Sequence, residues 1–323
     1  MSSLPAPAEG RDAEDLLAIA GLRVRFPTRG ECIRAVDTVD LAIPRGGRVA
    51  LIGESGCGKT VLGMAVMGIL PKNARVDGTI QYREENLLHA PEHAMQKIRG
   101  REIAMIMQNS ANSLNPVMTV GSQVAEPLIV HGLCSPEAAG DEAVRLLSGM
   151  GFDEPERALR RYPHEFSGGM RERIHIATAL ACRPELVIAD EPTSGLDAEV
   201  KAQILRLMKD QMEGRTLLLI THDIATARFL CTRVAVMYAG EIVEEGPVHD
   251  LLAHPLHPYT QGLLASLPSA GLHPIPGVSP SPANLPEGCR FSLRCPSATP
   301  RCKTDHPPVV SRGSRKVRCL IYA

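Results

Sequence analysis

The eight residues that decide the fold are Gly53-Glu54-Ser55-Gly56-Cys57-Gly58-Lys59-Thr60. They match G-x-x-x-x-G-K-[ST], the pattern of a phosphate-binding loop. An apolar run over residues 48–52 predicts a buried strand before the loop, and residues 61–70 predict a helix after it, which ends at Pro71. Glycines let the backbone wrap closely around an anion, and a helix N-terminus adds partial positive charge. This context favours a nucleotide site over a chance glycine-rich turn.

Two side chains of the loop have separate predicted roles. The Lys59 ammonium is placed to reach the β- and γ-phosphates of a nucleotide, and the Thr60 hydroxyl is placed to ligate Mg²⁺. The backbone N–H groups of the glycine-rich turn are expected to point inward at the phosphates.

Length and composition are those of an ordinary globular protein. The chain has 323 residues, of which 44% are hydrophobic, and its net charge is −1 at pH 7. That charge gives no indication of a nucleic-acid partner. No run approaches the roughly 20 apolar residues of a membrane span, and residues 1–14 are expected to be a disordered tail and not a signal peptide. We therefore predict a cytosolic or membrane-peripheral protein.

Polar residues follow three more apolar runs that predict buried strands: Gln108 after the first, Asp190 and Glu191 after the second, and His222 after the third. A polar side chain at a strand end is well placed to meet Mg²⁺, so Gln108 and Asp190 are candidate ligands. Glu191 is then placed where an attacking water would be. The alternative is that Asp190 and Glu191 form an ordinary surface-facing strand end.

A second anion site is indicated by Ser167-Gly168-Gly169. Ser167 is a good N-cap for a helix running to about residue 182, and the two glycines leave the helix N-terminus open to close approach. Because the phosphate loop already serves one nucleotide, we expect a symmetric dimer in which each chain offers this site to its partner's nucleotide. Asp197 is expected to cap the next helix, over residues 198–213.

Phe26 ends a predicted strand, residues 16–26, in which apolar and polar residues alternate. From this position its ring could stack on a nucleotide base or pack in the core. The sequence leaves both interpretations open.

The motifs occur in the order and spacing of the ATP-binding-cassette (ABC) ATPases, and the chain resembles that family over residues 16–250. The resemblance implies an α/β fold: a RecA-like P-loop core, an antiparallel β subdomain built from the early strands, and a helical subdomain. Residues 15–250 would form this nucleotide-binding domain. The helical pattern around Ser135 and Pro136 suits the helical subdomain, which would span about residues 109–165.

The resemblance also implies roles in ATP hydrolysis with Mg²⁺. Glu191 would polarise the attacking water, Gln108 would sense nucleotide and transporter, and His222 would be the switch histidine. Phe26 would stack on adenine.

Two further implied roles concern the dimer. Ser167-Gly168-Gly169 would be the family's signature motif, which contacts the γ-phosphate bound by the partner chain. Asp197 would contact the partner across the interface, and two cassettes would close over two ATP molecules.

Three short segments resemble the ATPases of dipeptide, oligopeptide and nickel importers more narrowly. They are Asn112-Ser113-Leu114-Asn115-Pro116, Tyr162-Pro163-His164-Glu165 and His257-Pro258-Tyr259-Thr260. This resemblance implies ATP-driven import of a small solute, a di- or oligopeptide first, with nickel or a metal chelate as the alternative. The chain departs from the family at Glu172, where Gln is usual, and at Phe166, where Leu is usual.

The importer resemblance implies several partners and no nucleic acid. They are a second and different ABC ATPase chain, two transmembrane permease subunits and an extracytoplasmic solute-binding protein, with this chain peripheral on the cytoplasmic face of the inner membrane. The rival interpretation is a non-transport cassette ATPase of translation or DNA repair, which usually has two cassettes or a long coiled-coil insert. Glu191 and His222 argue against a regulatory module that has lost catalysis.

A C-terminal extension, residues 251–323, has a different composition. Ten of the 41 residues from 268 to 308 are proline, so long helices and central strands are not expected there. Its four cysteines are Cys289, Cys295, Cys302 and Cys319. Residues 289–323 contain eight Lys or Arg and one Asp, a balance of +7.

Four thiolates suit Zn²⁺ or an iron–sulfur cluster, and four free thiols are the third possibility. The importer resemblance favours a [4Fe–4S] cluster bound by all four cysteines. We expect the extension to matter more for assembly than for the cassette's own ATP binding.

Overall fold

The computed structural model describes residues 15–28, 30–108 and 113–323. The strands are β1 (Asp15–Pro27), β2 (Cys32–Pro44), β3 (Arg48–Ile52), β4 (Arg75–Tyr82), β5 (Glu85–Asn86), β6 (Ile103–Ile106), β7 (Leu186–Asp190), β8 (Thr216–Thr221), β9 (Arg233–Tyr238), β10 (Glu241–Pro247), β11 (Val309–Arg312) and β12 (Arg315–Arg318). The predicted tail, residues 1–14, and Asn112 lie outside the described residues.

The helices are α1 (Lys59–Met67), α2 (Glu92–Ile98), α3 (Val120–Val130), α4 (Pro136–Gly149), α5 (Pro155–Leu159), α6 (Gly168–Leu180), α7 (Ala198–Gln211), α8 (Ile224–Leu230), α9 (Val248–Ala253), α10 (Pro258–Ala265) and α11 (Arg301–Thr304). Within the ranges described, no helix has the length and apolar character that crossing a membrane requires.

The larger sheet places the phosphate loop next to the other predicted strand ends. Its strand order is β11-β12-β10-β9-β3-β8-β7-β6, and the pairs from β9 through β6 are parallel. Every residue of β7 and β8 is buried, as expected for central strands of a parallel sheet that is covered on both faces. Because β8 lies between β3 and β7, the loop after β3 shares one sheet edge with the ends of β7 and β8. The predicted α/β core is confirmed.

The smaller sheet is antiparallel and is built from the early strands, as predicted. Its order is β2-β1-β4-β5. β1 and β2 pair from Asp15 opposite Pro44 to Pro27 opposite Cys32. The buried face of this sheet shares one hydrophobic cluster with residues of β3 and α1, so the two sheets are packed around the start of the phosphate loop.

The helical subdomain consists of α3, α4 and α5. The Ser135 hydroxyl accepts a hydrogen bond from the Ala138 N–H at 3.4 Å and Pro136 opens α4, so this helix begins where the sequence predicts. The three helices join the main hydrophobic cluster through Val124, Leu147 and Ala158, respectively.

The extension adds two strands to the main sheet, which we did not predict. β12 pairs antiparallel with β10, with Val317 opposite Glu244 and Lys316 opposite Glu245, and β11 forms the sheet edge. Four-residue strands with this many charged side chains give little sequence signal, because their conformation is selected by the strand they pair with.

An aromatic cluster also anchors the extension to the cassette. Phe291 is buried and packs edge-on against Tyr238 of β9 and Tyr259 of α10, with ring centroids 5.3 and 5.5 Å away. Such pairs are worth about 0.5–1.5 kcal/mol beyond the area they bury. Since β9 lies beside β3, this anchor is next to the phosphate loop.

Candidate nucleotide-binding site

The phosphate loop connects β3 to α1 and passes very close to two other backbone segments. Gly53 has φ +152°, and a Cβ there would lie 2.1 Å from the Met237 carbonyl oxygen. Gly58 has φ +109°, and its Cβ would lie 2.1 Å from the Ala35 carbonyl oxygen. These two positions therefore accept only glycine.

Lys59 is the first residue of α1 and lies across the loop. Its Nζ donates hydrogen bonds to the carbonyl oxygens of Gly53 at 2.8 Å and Glu54 at 3.0 Å, and the residue is buried. A buried ammonium at a helix N-terminus gives the loop a concentrated positive charge. The arrangement suits a polyphosphate, and contact of Lys59 with the β- and γ-phosphates stays a prediction.

The loop opens into a cavity of about 530 Å³ that brings most of the predicted site residues together. Its lining includes Ser55, Gly56, Gly58, Lys59, Thr60, Gln108, Asp190, Glu191 and His222. It also includes Ile33, Ala35, Val61 and Pro282, which we did not predict as site residues. Apolar side chains carry no motif, and only the position of Ile33 opposite Phe26 in the β1–β2 hairpin could have indicated one of them.

Asp190 ends β7 and supplies a buried carboxylate to the cavity. Burial raises its pKa, while a hydrogen bond with Thr60 acts in the opposite direction. Among the described residues its Oδ1 has no hydrogen-bond partner. A buried carboxylate oxygen left without a partner, beside a hydroxyl and the amide of Gln108, is a donor set that Mg²⁺ prefers.

Glu191 is held in a strained position at the end of the same strand. Its φ is +48°, a left-handed conformation that is uncommon outside glycine. Its Oε1 accepts the His222 N–H at 2.8 Å and lies 2.6 Å from His222 Nδ1, and its Oε2 accepts the Thr221 hydroxyl at 3.1 Å. The carboxylate is thus fixed at the cavity, where it can orient a water and take its proton.

The predicted signature motif lies elsewhere on the surface. Ser167 caps α6, its hydroxyl accepting the Met170 N–H at 3.4 Å, and both Ser167 and Gly168 are exposed. Gly169 is buried, and a Cβ there would lie 2.4 Å from Val200 Cγ1. Asp197 caps α7 by accepting two backbone N–H groups, as predicted. The residues lining the cavity do not include this group.

Phe26 is partly buried and packs against the hydrophobic cluster of the smaller sheet. The cavity lining contains its cross-strand neighbour Ile33 but not Phe26 itself. The packing interpretation therefore has structural support, and stacking on a base stays a prediction.

The two departures from the importer pattern are both buried. Phe166 packs edge-on against Phe152 with ring centroids 6.1 Å apart, and the Arg161 guanidinium lies 4.6 Å from its ring centre. Glu172 lies with its Oε1 3.9 Å from His175 Nδ1, and burial lowers the pKa of His175 to about 4. Glu172 therefore faces the interior, away from the exposed helix N-terminus.

The four cysteines of the extension lie near one another. The pKa of Cys289 is raised to about 11, mainly by burial and in part by Cys302, Cys319 and Cys295. The Cys289 N–H also donates to the Cys302 carbonyl at 2.9 Å. However, in the described part of the chain no three His, Cys, Asp or Glu side chains are grouped so that they could hold a metal ion. The structure thus gives no support for a metal site at these cysteines, neither zinc nor the [4Fe–4S] cluster.

Comparison with known proteins agrees with this geometry. The family described as "ABC transporter" matches residues 36–194, and the family described as "Oligopeptide/dipeptide transporter, C-terminal region" matches residues 243–302. The oligopeptide transport ATP-binding protein AppD of Bacillus subtilis is 45% identical, over 95% of this chain and 97% of AppD. The oligopeptide transport ATP-binding protein OppD of Escherichia coli is 40% identical, over 93% of this chain and 91% of OppD.

Solved structures show the same fold. The dimeric bacterial ABC transporter cassette MJ0796 superimposes with a TM-score of 0.64 at 30% identity, covering 72% of this chain and 98% of that one. A second structure of this cassette, in a post-hydrolysis state bound to ADP and Pi, matches equally well.

Proposed function

This chain belongs to the ABC transporter ATPases of the oligopeptide/dipeptide group, and from that premise we propose that its ATP hydrolysis powers import of di- or oligopeptides through separate membrane subunits. One observation carries the proposal: Lys59, Thr60, Asp190 and Glu191 line one cavity beside the phosphate loop. The match of residues 243–302 to the C-terminal region of oligopeptide/dipeptide transporters supports the solute class.

Each residue of the cavity then has a chemical task. The loop N–H groups and Lys59 bind the β- and γ-phosphates. Thr60, Gln108 and Asp190 hold Mg²⁺, which when bound offsets charge on the phosphate oxygens. Glu191 orients the attacking water and accepts its proton, and His222 fixes the Glu191 carboxylate through the 2.6 Å contact.

The signature motif serves a second chain in this proposal. Ser167 and Gly168 are exposed at the N-terminus of a 13-residue helix, which favours anion binding there. The anion is the γ-phosphate of a partner cassette, and Asp197 lies at the same interface. The partner is a different ABC ATPase chain, and the pair binds two permease subunits at the cytoplasmic face of the inner membrane, with an extracytoplasmic protein delivering solute.

The experiment that tests the solute class is uptake by the assembled transporter. Cells containing the full complex are given a labelled dipeptide, a labelled tetrapeptide or radioactive nickel. Peptide uptake that is lost in Lys59→Ala supports the proposal. Uptake of nickel alone would replace it with the metal-importer alternative.

We also propose that Cys289, Cys295, Cys302 and Cys319 bind a [4Fe–4S] cluster. The proposal is supported by the four thiols of one proline-rich segment, of which Cys302, Cys319 and Cys295 each contribute to the raised pKa of Cys289. Four cysteine thiolates are the usual ligands of such a cluster. It would contribute folding free energy to a proline-rich segment.

Purification without oxygen tests the cluster. About four iron and four sulfide per chain are expected, and any Cys→Ser change at the four positions should bleach the protein. Colourless protein with stoichiometric zinc, or with four titratable thiols and no metal, would overturn the assignment.

A further inference from the structure

We propose that the C-terminal extension is part of the nucleotide site, and that Arg294 is a positioning residue which holds the phosphate loop through Glu54. The inference rests on the proposed nucleotide site at residues 53–60. It assigns a role in ATP binding to a segment that the sequence connects only with assembly.

Arg294 binds Glu54 across 240 positions of the chain. Two parallel hydrogen bonds join them, from Nη1 to Oε2 at 2.9 Å and from Nη2 to Oε1 at 3.1 Å. The Ser279 hydroxyl donates to Oε2 of the same carboxylate, and the Glu54 N–H donates to the Tyr259 hydroxyl at 2.9 Å. Three residues from beyond position 250 therefore fix both the side chain and the backbone of one loop residue.

Arg294 is itself held in place by the surrounding protein. Only 9% of its surface is exposed. Its Nε donates to the Pro276 carbonyl at 3.0 Å, and its Nη1 donates to the Tyr238 hydroxyl at 3.3 Å. A guanidinium fixed by several bonds and shielded from water gives a much stronger contact than a mobile surface pair.

The contact affects the part of the loop that binds phosphate. The Glu54 carbonyl is one of the two carbonyl oxygens that hold the Lys59 ammonium, so a shift of Glu54 shifts Lys59. The Glu54 carboxylate is also a negative charge on a loop that must bind an anion. Burial acts to raise the pKa of Glu54, but the hydrogen bonds from Arg294 and Ser279 outweigh it and hold the pKa below its ordinary value, so the group is ionised and needs its counter-ion.

The extension reaches the cavity at a second point. Pro282 is one of its lining residues, and the Pro282 carbonyl accepts the N–H of Arg34 in β2 at 2.9 Å. The extension thus contacts the site from the loop and from the β2 side, which agrees with a role in binding nucleotide.

Arg294→Ala in the full chain is the main test, with affinity for Mg·ATP measured by calorimetry. Affinity should fall roughly tenfold, within the range typical of coupling between two parts of a protein. Arg294→Lys keeps the charge but not the two-bond geometry, so its affinity for Mg·ATP should lie between those of the wild type and Arg294→Ala. Adding Glu54→Gln to Arg294→Ala should restore most of the affinity, because the neutral amide removes the unpaired negative charge. A merely structural role of Arg294 would not be rescued in this way.

Arg315→Ala is the matched control. Arg315 also joins the extension to the cassette through a buried glutamate, Glu244, at 2.5 Å, but it does not contact the loop. ATP affinity should be unchanged in this variant. An equal loss of affinity in Arg315→Ala and Arg294→Ala would overturn the inference in favour of general attachment of the extension.

Lys59→Ala separates the inference from the proposal on which it rests. If Lys59→Ala abolishes ATP binding and Arg294→Ala leaves it intact, the site stands and the role of Arg294 is wrong. If Lys59→Ala binds ATP normally, the nucleotide site itself is wrong. If Arg294→Ala fails to fold, two other variants decide between the same outcomes. They are Arg294→Lys alone and Arg294→Lys combined with Glu54→Gln.

Discussion

The two sides of the nucleotide cavity are assembled in different ways. On the strand-end side, Asp190 ends β7, Glu191 follows it and His222 follows β8, and the parallel pairing of β3, β7 and β8 brings them together. On the loop side, Glu54 is held by Tyr259 of α10 and by Arg294, which lies outside the helices and strands of the extension. The first side depends on the core of the cassette, whereas the second depends on the attachment of the extension. Mutations on the two sides should therefore produce different combinations of defects.

Glu191→Gln should give the largest effect and should change turnover alone. The amide keeps the shape of the side chain but cannot accept a proton, so hydrolysis should fall about 10²–10⁴-fold, or roughly 3–5 kcal/mol of barrier. ATP binding should persist and trap a closed dimer. Hydrolysis by the assembled transporter and dimer formation with ATP are the measurements.

Glu185→Gln is the control for this change, because Glu185 directly precedes β7 at the end remote from the cavity. Its hydrolysis should match that of the wild type. Normal turnover in Glu191→Gln would remove Glu191 from the reaction.

Phe291→Ala should affect the loop side of the cavity. It should lower both the free energy of unfolding and the affinity for ATP. Loss of this buried ring leaves a cavity against Tyr238 and Tyr259 and should cost about 3–5 kcal/mol of the free energy of unfolding. Because the hydroxyls of those tyrosines contact Arg294 and Glu54, ATP affinity should fall as well. Denaturant unfolding and calorimetry measure the two effects.

Leu293→Ala provides the comparison within the same segment, since Leu293 is 75% exposed. Neither the free energy of unfolding nor the affinity for ATP should change in this variant. A large loss of stability in Phe291→Ala with unaltered ATP affinity would show that the extension packs on the cassette without influencing its site.

Phe26→Ala should give the smallest effect. It tests whether Phe26 contacts the nucleotide or belongs to the hydrophobic core. If the ring stacks on adenine, ATP binding weakens by roughly 1–3 kcal/mol and GTP is a passable substrate, since an aromatic face selects little between purines. Nucleotide titration and thermal unfolding are measured together. Unchanged affinity with a lower Tm would assign Phe26 to the core, where it packs beside Ile33.

The strand-end side could be predicted from the sequence because its signals are local. Each polar residue stands within two positions of the end of an apolar run, and Gly53 and Gly58 belong to a motif that is contiguous in the sequence. The helix N-caps at Ser135, Ser167 and Asp197 could be predicted for the same reason, because a cap bonds to backbone groups of the next few residues.

The loop side could not be predicted because its contacts join distant positions without a repeating pattern. Nothing in the sequence pairs Arg294 with Glu54, and the nearby cysteines draw attention to metal binding instead. The strands β11 and β12 were missed because short charged segments become strands only when β10 offers an edge. The sequence therefore favours an extension that serves assembly, whereas the contacts with Glu54 point to the nucleotide itself.

The bond between Arg294 and Glu54 has a consequence for the order in which the protein is made. A ribosome adding about 5–20 residues per second needs on the order of 10–50 s to pass from one partner to the other. Throughout that interval the nascent cassette has its glycine-rich turn and Lys59 but no counter-ion for Glu54. If Arg294 holds the phosphate loop as proposed, full nucleotide affinity is acquired only after Arg294 has been synthesised, so a nascent cassette without it is a poor competitor for cellular ATP.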